Sequence, residues 1–214
     1  ILRLLGKVNN QKIVSRFQGT FYIIIIKAKQ HLKRILNWDN FLALKLPSDL
    51  CIMTNDGTQG DQALEHIKSK SLKNMKFWVN GVDEQKLPAE KIIQIKNEFN
   101  IESNEIIFLT VCRLEAWKRV DRGIMAIEIL VKKYHVKNIK YFIVGEGVEK
   151  LNLEKLVQEN NLKDFVIFVG AVNNSDVKKY LNIADIYIST YDSSNVGNPL
   201  LEAIRANKII FTLN

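Results

Sequence analysis

The segment Ile106-Ile107-Phe108-Leu109-Thr110-Val111 decides the fold, because it is the first of several short apolar and β-branched runs. The later runs are Lys140–Val144, Phe165–Val169, Asp185–Ser189 and Lys208–Thr212. Stretches of helical period separate them: Val120–Tyr134, Glu149–Asn160, Ser175–Ile183 and Pro199–Ala206. Strands that alternate with helices are typical of βαβ units. Residues 105–214 are therefore predicted to form a doubly wound α/β lobe around a parallel sheet.

The sequence before this segment is less regular. It predicts a long helical stretch over Tyr22–Leu46, then a strand at Leu50–Met53, a helix near Gln59–Ile67 and a strand at Met75–Val79. The turn dipeptide Asn80-Gly81 leads through a polar segment into a charged helix that ends near Asn100. We accordingly predict part of a second α/β lobe in residues 1–84 and a connection in residues 85–104.

The composition indicates a globular protein that meets anionic partners. Hydrophobic residues make up 47% of the chain, and 31 Lys and Arg against 23 Asp and Glu give a formal charge of +8. The densest basic stretch, Lys27–Arg34, is interpreted either as a contact with an anionic membrane or as a solvated face. The longest apolar run, Phe21–Ile26, is far shorter than the roughly 20 residues of a spanning helix.

The two cysteines, Cys51 and Cys112, form no motif for a disulfide framework or a zinc site. A reducing cytosol fits this usage. The chain opens on Ile1 and ends in an apolar run at Asn214, so we expect a fragment that is truncated at both ends.

A first candidate site lies in the segment Ser194-Asn195-Val196-Gly197-Asn198-Pro199-Leu200-Leu201-Glu202, which follows a strand and opens a helix. With Asn198 as N-cap and Pro199 as first helical residue, the N–H groups of Leu200 and Leu201 are predicted to be unpaired and to bind an anion. Gly197 permits close approach of a ligand, and Glu202 can accept hydrogen bonds from sugar hydroxyls. An ordinary capped helix explains the segment equally well.

A second candidate site follows the first strand of the same lobe. Arg113 and Lys118 leave one loop, where two cations could stabilise a pyrophosphate leaving group. The alternative interpretation is two unrelated surface cations.

Together these segments resemble the retaining GT-B glycosyltransferases of family 4, the glycosyltransferase group 1 type. The family pattern of an Arg-Leu pair, a Lys and a nearby Asp is matched by Arg113, Leu114, Lys118 and Asp121. Further landmarks follow in the family order: Ile143–Gly147, Phe168–Val172 and Ala184–Ser189. The resemblance implies a GT-B-like α/β fold, with a Rossmann-like donor lobe in residues 105–214 and part of a Rossmann-like acceptor lobe in residues 1–84.

The resemblance also implies roles for residues. Arg113 and Lys118 would bind the donor diphosphate as the catalytic groups, Val172 would contact the nucleotide base, and Glu202 would hold the ribose. The first glutamate of the family's pair is Ser194 here, which puts the sugar preference in doubt. Asp192 and Ser193 are candidates to replace its carboxylate.

The function predicted on this basis is transfer of a hexose from a UDP- or GDP-linked donor to a hydroxyl of a glycan or glycolipid, with retention of configuration. No metal ligand set and no cofactor beyond the donor are expected. The expected location is the cytoplasm, peripheral to the inner face of an anionic membrane, and no nucleic acid partner is expected. Because the family's glycine-rich loop and active-site histidine have no match, we expect the fragment itself to be inactive.

Three alternatives remain open at this stage. One is a sugar-nucleotide epimerase of the same architecture, and another is a non-catalytic basic module that binds nucleotides or other anions. A third is a donor-binding relic that lost activity with the carboxylate at Ser194.

Overall fold

A computed structural model describes most of the chain as two compact units, Ile1–Gly81 and Val82–Asn214. The described residues are 11–17, 20, 22–27, 31–54, 59–78, 80–84, 86–192 and 197–213.

The first unit contains a three-stranded parallel sheet in the order β1-β2-β3, formed by Val14–Phe17, Leu50–Thr54 and Met75–Trp78. Its helices are α1 (Tyr22–Lys27), α2 (His31–Leu36), α3 (Trp38–Lys45) and α4 (Gly60–His66), and a 3₁₀ turn covers Lys70–Asn74. The central strand β2 is buried from Cys51 to Thr54 because helices and both neighbouring strands surround it.

The predicted helical stretch over Tyr22–Leu46 is helical in most of its described residues, as α1, α2 and α3, and it is interrupted at Asn37. Asn37 divides α2 from α3, and its side-chain amide donates to the Lys33 carbonyl at 2.7 Å. The backbone N–H of Asn37 donates to the same carbonyl at 3.0 Å, so the helical hydrogen bond is kept across this one-residue interruption. The sequence pattern also missed strand β1.

The second unit contains a five-stranded parallel sheet in the order β6-β5-β4-β7-β8. The strands are β4 (Ile106–Val111), β5 (Ile139–Val144), β6 (Val166–Gly170), β7 (Ile186–Ser189) and β8 (Ile209–Thr212). The helices are α5 (Ala89–Glu98), α6 (Val120–Lys132), α7 (Lys150–Glu159), α8 (Asn174–Ile183) and α9 (Asn198–Arg205). Because the strand order reverses at β4, a crevice opens between the carboxyl ends of β4 and β7.

Both faces of this sheet are buried. Alternate residues of β5 enter two different apolar clusters: Phe142 and Val144 pack with Leu109 on one face, whereas Tyr141 and Ile143 pack on the other. Helices thus cover both sides, as a doubly wound sheet requires. The α/β prediction for this part of the chain is confirmed.

Helix α5 belongs to the second unit, although residues 85–104 were predicted to be a connection. Ile95 is buried in the same apolar cluster as Phe142, and the Leu87 N–H donates to the side chain of Asn182 at 3.1 Å. These contacts attach the segment to the sheet whose crevice is described next.

Candidate functional site

Two adjoining cavities occupy the carboxyl edge of the second sheet. One, of about 270 Å³, is lined by Val111, Cys112, Arg113, Val144, Gly145, Glu146, Ala171, Val172 and Val177. The other, of about 240 Å³, is lined by Cys112, Arg113, Trp117, Lys118, Tyr191, Gly197, Pro199 and Leu200. Both include Cys112 and Arg113, so the two cavities meet at the residues that follow β4.

A larger cavity, of about 390 Å³, lies between α6 and α7. Its charged lining includes Arg119, whose guanidinium is already paired with Asp121. We take the smaller pair as the candidate site because ligands of open α/β sheets bind at the strand ends.

Close backbone packing forms the floor of the two smaller cavities. Gly145 has a φ of +137°, and a Cβ there would lie 1.9 Å from the Cys112 carbonyl oxygen. The Gly145 N–H donates to the Gly170 carbonyl at 2.8 Å, and the Cys112 N–H donates to that of Val144 at 3.0 Å. A side chain at position 145 would therefore separate the ends of β4 and β5.

Arg113 extends from this floor toward solvent. Its side chain is 75% exposed and pairs with the Glu115 carboxylate at 2.9 Å. The same carboxylate accepts the indole N–H of Trp117, so Glu115 ties the arginine to the aromatic wall of the cavity. A guanidinium held in this way can still offer its remaining N–H donors to an anion.

Lys118 lies deeper than Arg113. Its Nζ is 3.9 Å from the ring centroid of Trp117 and 3.7 Å from that of Tyr191. Burial lowers the pKa of Lys118 below the ordinary lysine value, and the charge of Arg113 lowers it further. The sequence gives no signal for this arrangement, because Tyr191 is far from Lys118 along the chain. The two side chains meet because β4 and β7 are neighbouring strands of the sheet.

Cys112 lines both cavities but is not poised as a nucleophile. Burial raises the pKa of its thiol to about 11, although the nearby Lys118 charge acts in the opposite direction. A thiol with so high a pKa stays protonated near neutral pH and is a poor nucleophile.

A network of ion pairs fixes the loops on either side of the crevice. Asp192 accepts from Arg119 at 3.3 Å and from Arg122 at 2.8 Å, while Arg119 also pairs with Asp121 at 2.9 Å. The Asp192 N–H donates to the Trp117 carbonyl at 3.0 Å. The carboxylate of Asp192, a candidate replacement for the missing family glutamate, is thus engaged by two arginines.

The start of α9 differs from the prediction. Gly197 is the N-cap, so Asn198 is the first helical residue and Pro199 the second, which makes both predicted positions wrong by one. The N–H groups of Leu200 and Leu201 both donate to the Gly197 carbonyl, at 3.1 and 3.2 Å. The prediction that they are unpaired is therefore wrong, because the extended Gly197 turns its carbonyl into the first helical turn. The positive end of the helix dipole still borders the smaller cavity.

Glu202 lies one turn into α9 and is 9% exposed. Burial raises the pKa of its carboxyl group, and the negative charge of Asp83 raises it further. Within the described residues its carboxylate has no hydrogen-bond donor, so it keeps its capacity to accept from ligand hydroxyls.

The structure brings together some of the predicted site residues but not all. Arg113, Lys118, Gly197 and Leu200 line one cavity, and Val172 lines the other with Arg113. Asn198, Leu201 and Glu202 are on α9 outside both linings. The predicted residues Ser194, Asn195 and Val196, together with Ser193, lie outside the described residues.

Among the described residues, no group of three or more His, Cys, Asp and Glu side chains is placed to hold a metal ion. In the part of the chain that the structure describes, every helix is too short or too polar to cross a membrane.

Comparison with known proteins identifies a family. The sequence profile of the glycosyl transferases group 1 matches residues 91–214. The alpha-monoglucosyldiacylglycerol synthase of Acholeplasma laidlawii is 25% identical over 119 residues, which are 56% of this chain and 29% of that protein. The N-acetyl-alpha-D-glucosaminyl L-malate synthase of Bacillus anthracis is 27% identical over 139 residues, which are 65% of this chain and 35% of that one. The chain thus spans about a third of the length of these relatives.

Solved structures extend the likeness to the first unit. The Anabaena protein Alr3699/HepE in complex with UDP-glucose matches 98% of this chain and 55% of its own, with a TM-score of 0.77 and 15% identity. A likeness at this identity shows the fold, and it confirms the predicted GT-B-like α/β architecture.

Proposed function

The chain belongs to the glycosyl transferases group 1, and from that membership we propose that its strand-end crevice is the donor site for a nucleoside diphosphate sugar. The whole protein would transfer a hexose from this donor to a hydroxyl of a glycan or glycolipid, with retention of configuration. The observation that carries the proposal is the pair of cavities that meet at Arg113, with Lys118 beside one and Val172 beside the other.

Two adjoining cavities suit an extended nucleotide, because one can hold the base and the other the diphosphate. The base would lie against Val172 in the larger cavity, and the diphosphate would lie between Arg113, Lys118 and the start of α9. Glu202 would accept hydrogen bonds from the ribose hydroxyls. This arrangement places the diphosphate beside Arg113 and Lys118. Among the described residues, these are the only two cations that line either cavity.

The proposed role of the two cations follows from where negative charge develops during the transfer. When the bond between the anomeric carbon and the diphosphate breaks, negative charge grows on the leaving phosphate oxygens. Cations and a helix dipole that are already in place stabilise that charge at no cost of reorganisation. Such a site performs by side chains what a divalent ion does in other transferases, so we propose donor binding without a metal.

Uridine is the base that we propose first. The Anabaena protein of the same fold was solved in complex with UDP-glucose, which supports a uridine donor for this chain. A guanosine donor remains the second choice, and titration with UDP and GDP distinguishes the two bases.

We also propose that α2 and α3 of the first unit touch an anionic membrane. Leu32, Ile35, Leu36 and Trp38 are exposed on these helices next to the exposed Lys33. Apolar side chains beside cations are suited to the boundary of an anionic bilayer. In the predicted basic stretch, Lys27 instead donates to Gln59 and Gln62.

Vesicle binding tests the membrane proposal. The chain should sediment with phosphatidylglycerol vesicles and not with phosphatidylcholine vesicles at low salt, and Lys33→Glu should weaken the binding. Equal binding to both vesicle types, or none to either, would remove the proposal and leave the donor site unaffected.

Titration calorimetry with UDP, GDP, ADP and CDP tests the donor site. We expect one nucleotide to bind best and Arg113→Ala to weaken it about 10-fold or more, because a charge-assisted hydrogen bond is lost. The matched control is Lys163→Ala, which should leave the affinity unchanged. Lys163 is an exposed cation that precedes β6, so it lies at the amino ends of the strands, opposite the crevice.

A folded chain that binds no nucleotide would contradict the donor site. Equal loss of affinity in Arg113→Ala and Lys163→Ala would favour non-specific attraction by a basic protein. Product analysis of the whole enzyme with a labelled donor separates a transferase, which needs an acceptor, from an epimerase, which does not.

A further inference from the structure

Two aromatic rings enclose the ammonium group of Lys118 at the edge of the smaller cavity. The ring centroids of Trp117 and Tyr191 are 5.9 Å apart, the planes meet at 69°, and the lysine Nζ lies less than 4 Å from each centroid. Such an edge-on pair presents the negative face of each ring to a cation placed between them.

The backbone and side chains around both rings hold them in place. Tyr191 is buried, and its hydroxyl donates to the Val111 carbonyl at 3.5 Å. The Trp117 indole N–H donates to the Glu115 carboxylate, and the Trp117 backbone carbonyl accepts from the Asp192 backbone N–H. The two rings therefore belong to different loops that are joined next to the cation.

The rings stabilise the lysine charge without neutralising it. Among the described residues no carboxylate lies within ion-pairing distance of Lys118, whereas Arg113 is paired with Glu115. A lysine side chain in water samples many rotamers, and ordering it costs free energy when a ligand binds. A cation that the rings already hold at the cavity would bind a diphosphate with less of that cost.

We propose that Trp117 and Tyr191 are positioning residues that hold Lys118 in the donor cavity for the diphosphate. The inference rests on the proposed donor site and adds a role for two residues outside the family pattern. It predicts that the π face of each ring, rather than its bulk, contributes to diphosphate affinity.

The test compares phenylalanine and leucine at each position in the 214-residue chain. Trp117→Phe and Trp117→Leu both lose the indole N–H to Glu115, so they differ mainly in the π face. We expect Trp117→Leu to bind UDP about 10-fold more weakly than Trp117→Phe, the size of a partly desolvated cation–π contact. Tyr191→Leu should likewise bind more weakly than Tyr191→Phe. We place Lys118 against the diphosphate, and UMP lacks the second phosphate, so the binding of UMP should change much less.

Each outcome separates the inference from the donor site. If Lys118→Met weakens UDP binding while the leucine and phenylalanine variants agree, the donor site stands and the positioning role is wrong. If the leucine variants bind UDP more tightly, the rings sequester the lysine and the proposal is overturned. If the wild-type chain binds neither UDP nor GDP better than the corresponding monophosphate, the donor site itself fails. Circular dichroism of every variant excludes unfolding as the cause.

Discussion

Cations occur in two very different settings in this chain. In the loop after β4, Lys118 is half-buried between two rings, and Asp192 holds Arg119 of this loop and Arg122 of α6. On α2 of the first unit, Lys33 is exposed among exposed apolar residues. The side chains carry a positive charge in both settings. Strand ends and aromatic walls fix a cation at a cavity, and they therefore distinguish a ligand site from a charged surface.

The largest expected effect comes from removing the floor of the crevice. Gly145→Val places a Cβ against the Cys112 carbonyl and strains a positive φ, so we expect a loss of about 3 kcal/mol or more in the free energy of unfolding. Denaturant unfolding measures it, with the fluorescence of Trp117 as reporter in a Trp38→Phe and Trp78→Phe background. Gly197→Ala is the control and should cost less than about 1 kcal/mol, because among the described residues its Cβ would meet only Pro199, at 3.7 Å. Equal losses of unfolding free energy in the two variants would mean that the ends of β4 and β5 can accommodate a side chain at position 145.

The next effect separates the two cationic settings directly. Lys118→Met should weaken UDP binding about 10- to 100-fold, because a partly desolvated charge-assisted contact is lost. Lys33→Met, which removes an exposed cation from α2, should leave the affinity within about twofold. Calorimetric titration measures both. A similar loss from both substitutions would end the distinction between site and surface.

A smaller effect concerns the ribose. Glu202→Ala should reduce the preference for UDP over 2′-deoxy-UDP by about 10-fold, because the buried carboxylate no longer accepts from the hydroxyl. Competition titrations with the two nucleotides measure the ratio. An unchanged ratio would place the ribose away from α9.

The smallest effect is a pH dependence. Burial lowers the pKa of Lys118, so its ammonium loses the proton at a lower pH than an ordinary lysine does. UDP affinity should therefore fall as the pH is raised toward the ordinary lysine value, and Lys118→Arg, which stays charged, should abolish that fall. Titration of the nucleotide itself affects both proteins equally and cancels. Parallel curves would show that Lys118 does not contact the diphosphate.

Much of the second unit could be predicted because its strands are continuous apolar runs. Strand β4 has the bounds that the pattern predicts, and β5 differs by one residue, at Ile139. Buried parallel strands leave this signal because both faces are covered. In the first unit, the helical stretch is interrupted at the single residue Asn37, which helical periodicity does not reveal.

The candidate site was predicted in outline only. Motif order located Arg113 and Lys118, but the contact of the Tyr191 ring with Lys118 depends on the adjacency of β4 and β7, which is a property of the folded sheet. The position of Gly197 as N-cap depends on backbone angles that Asn198 and Pro199 do not determine. Roles for the site residues stay predictions.

Hydrogen–deuterium exchange with and without UDP tests whether the crevice is the donor site. We expect slower exchange in residues 111–118, 145–147, 170–172 and 197–202, and no change in residues 31–45. Slower exchange in residues 31–45, or none around the crevice at saturating UDP, would contradict it.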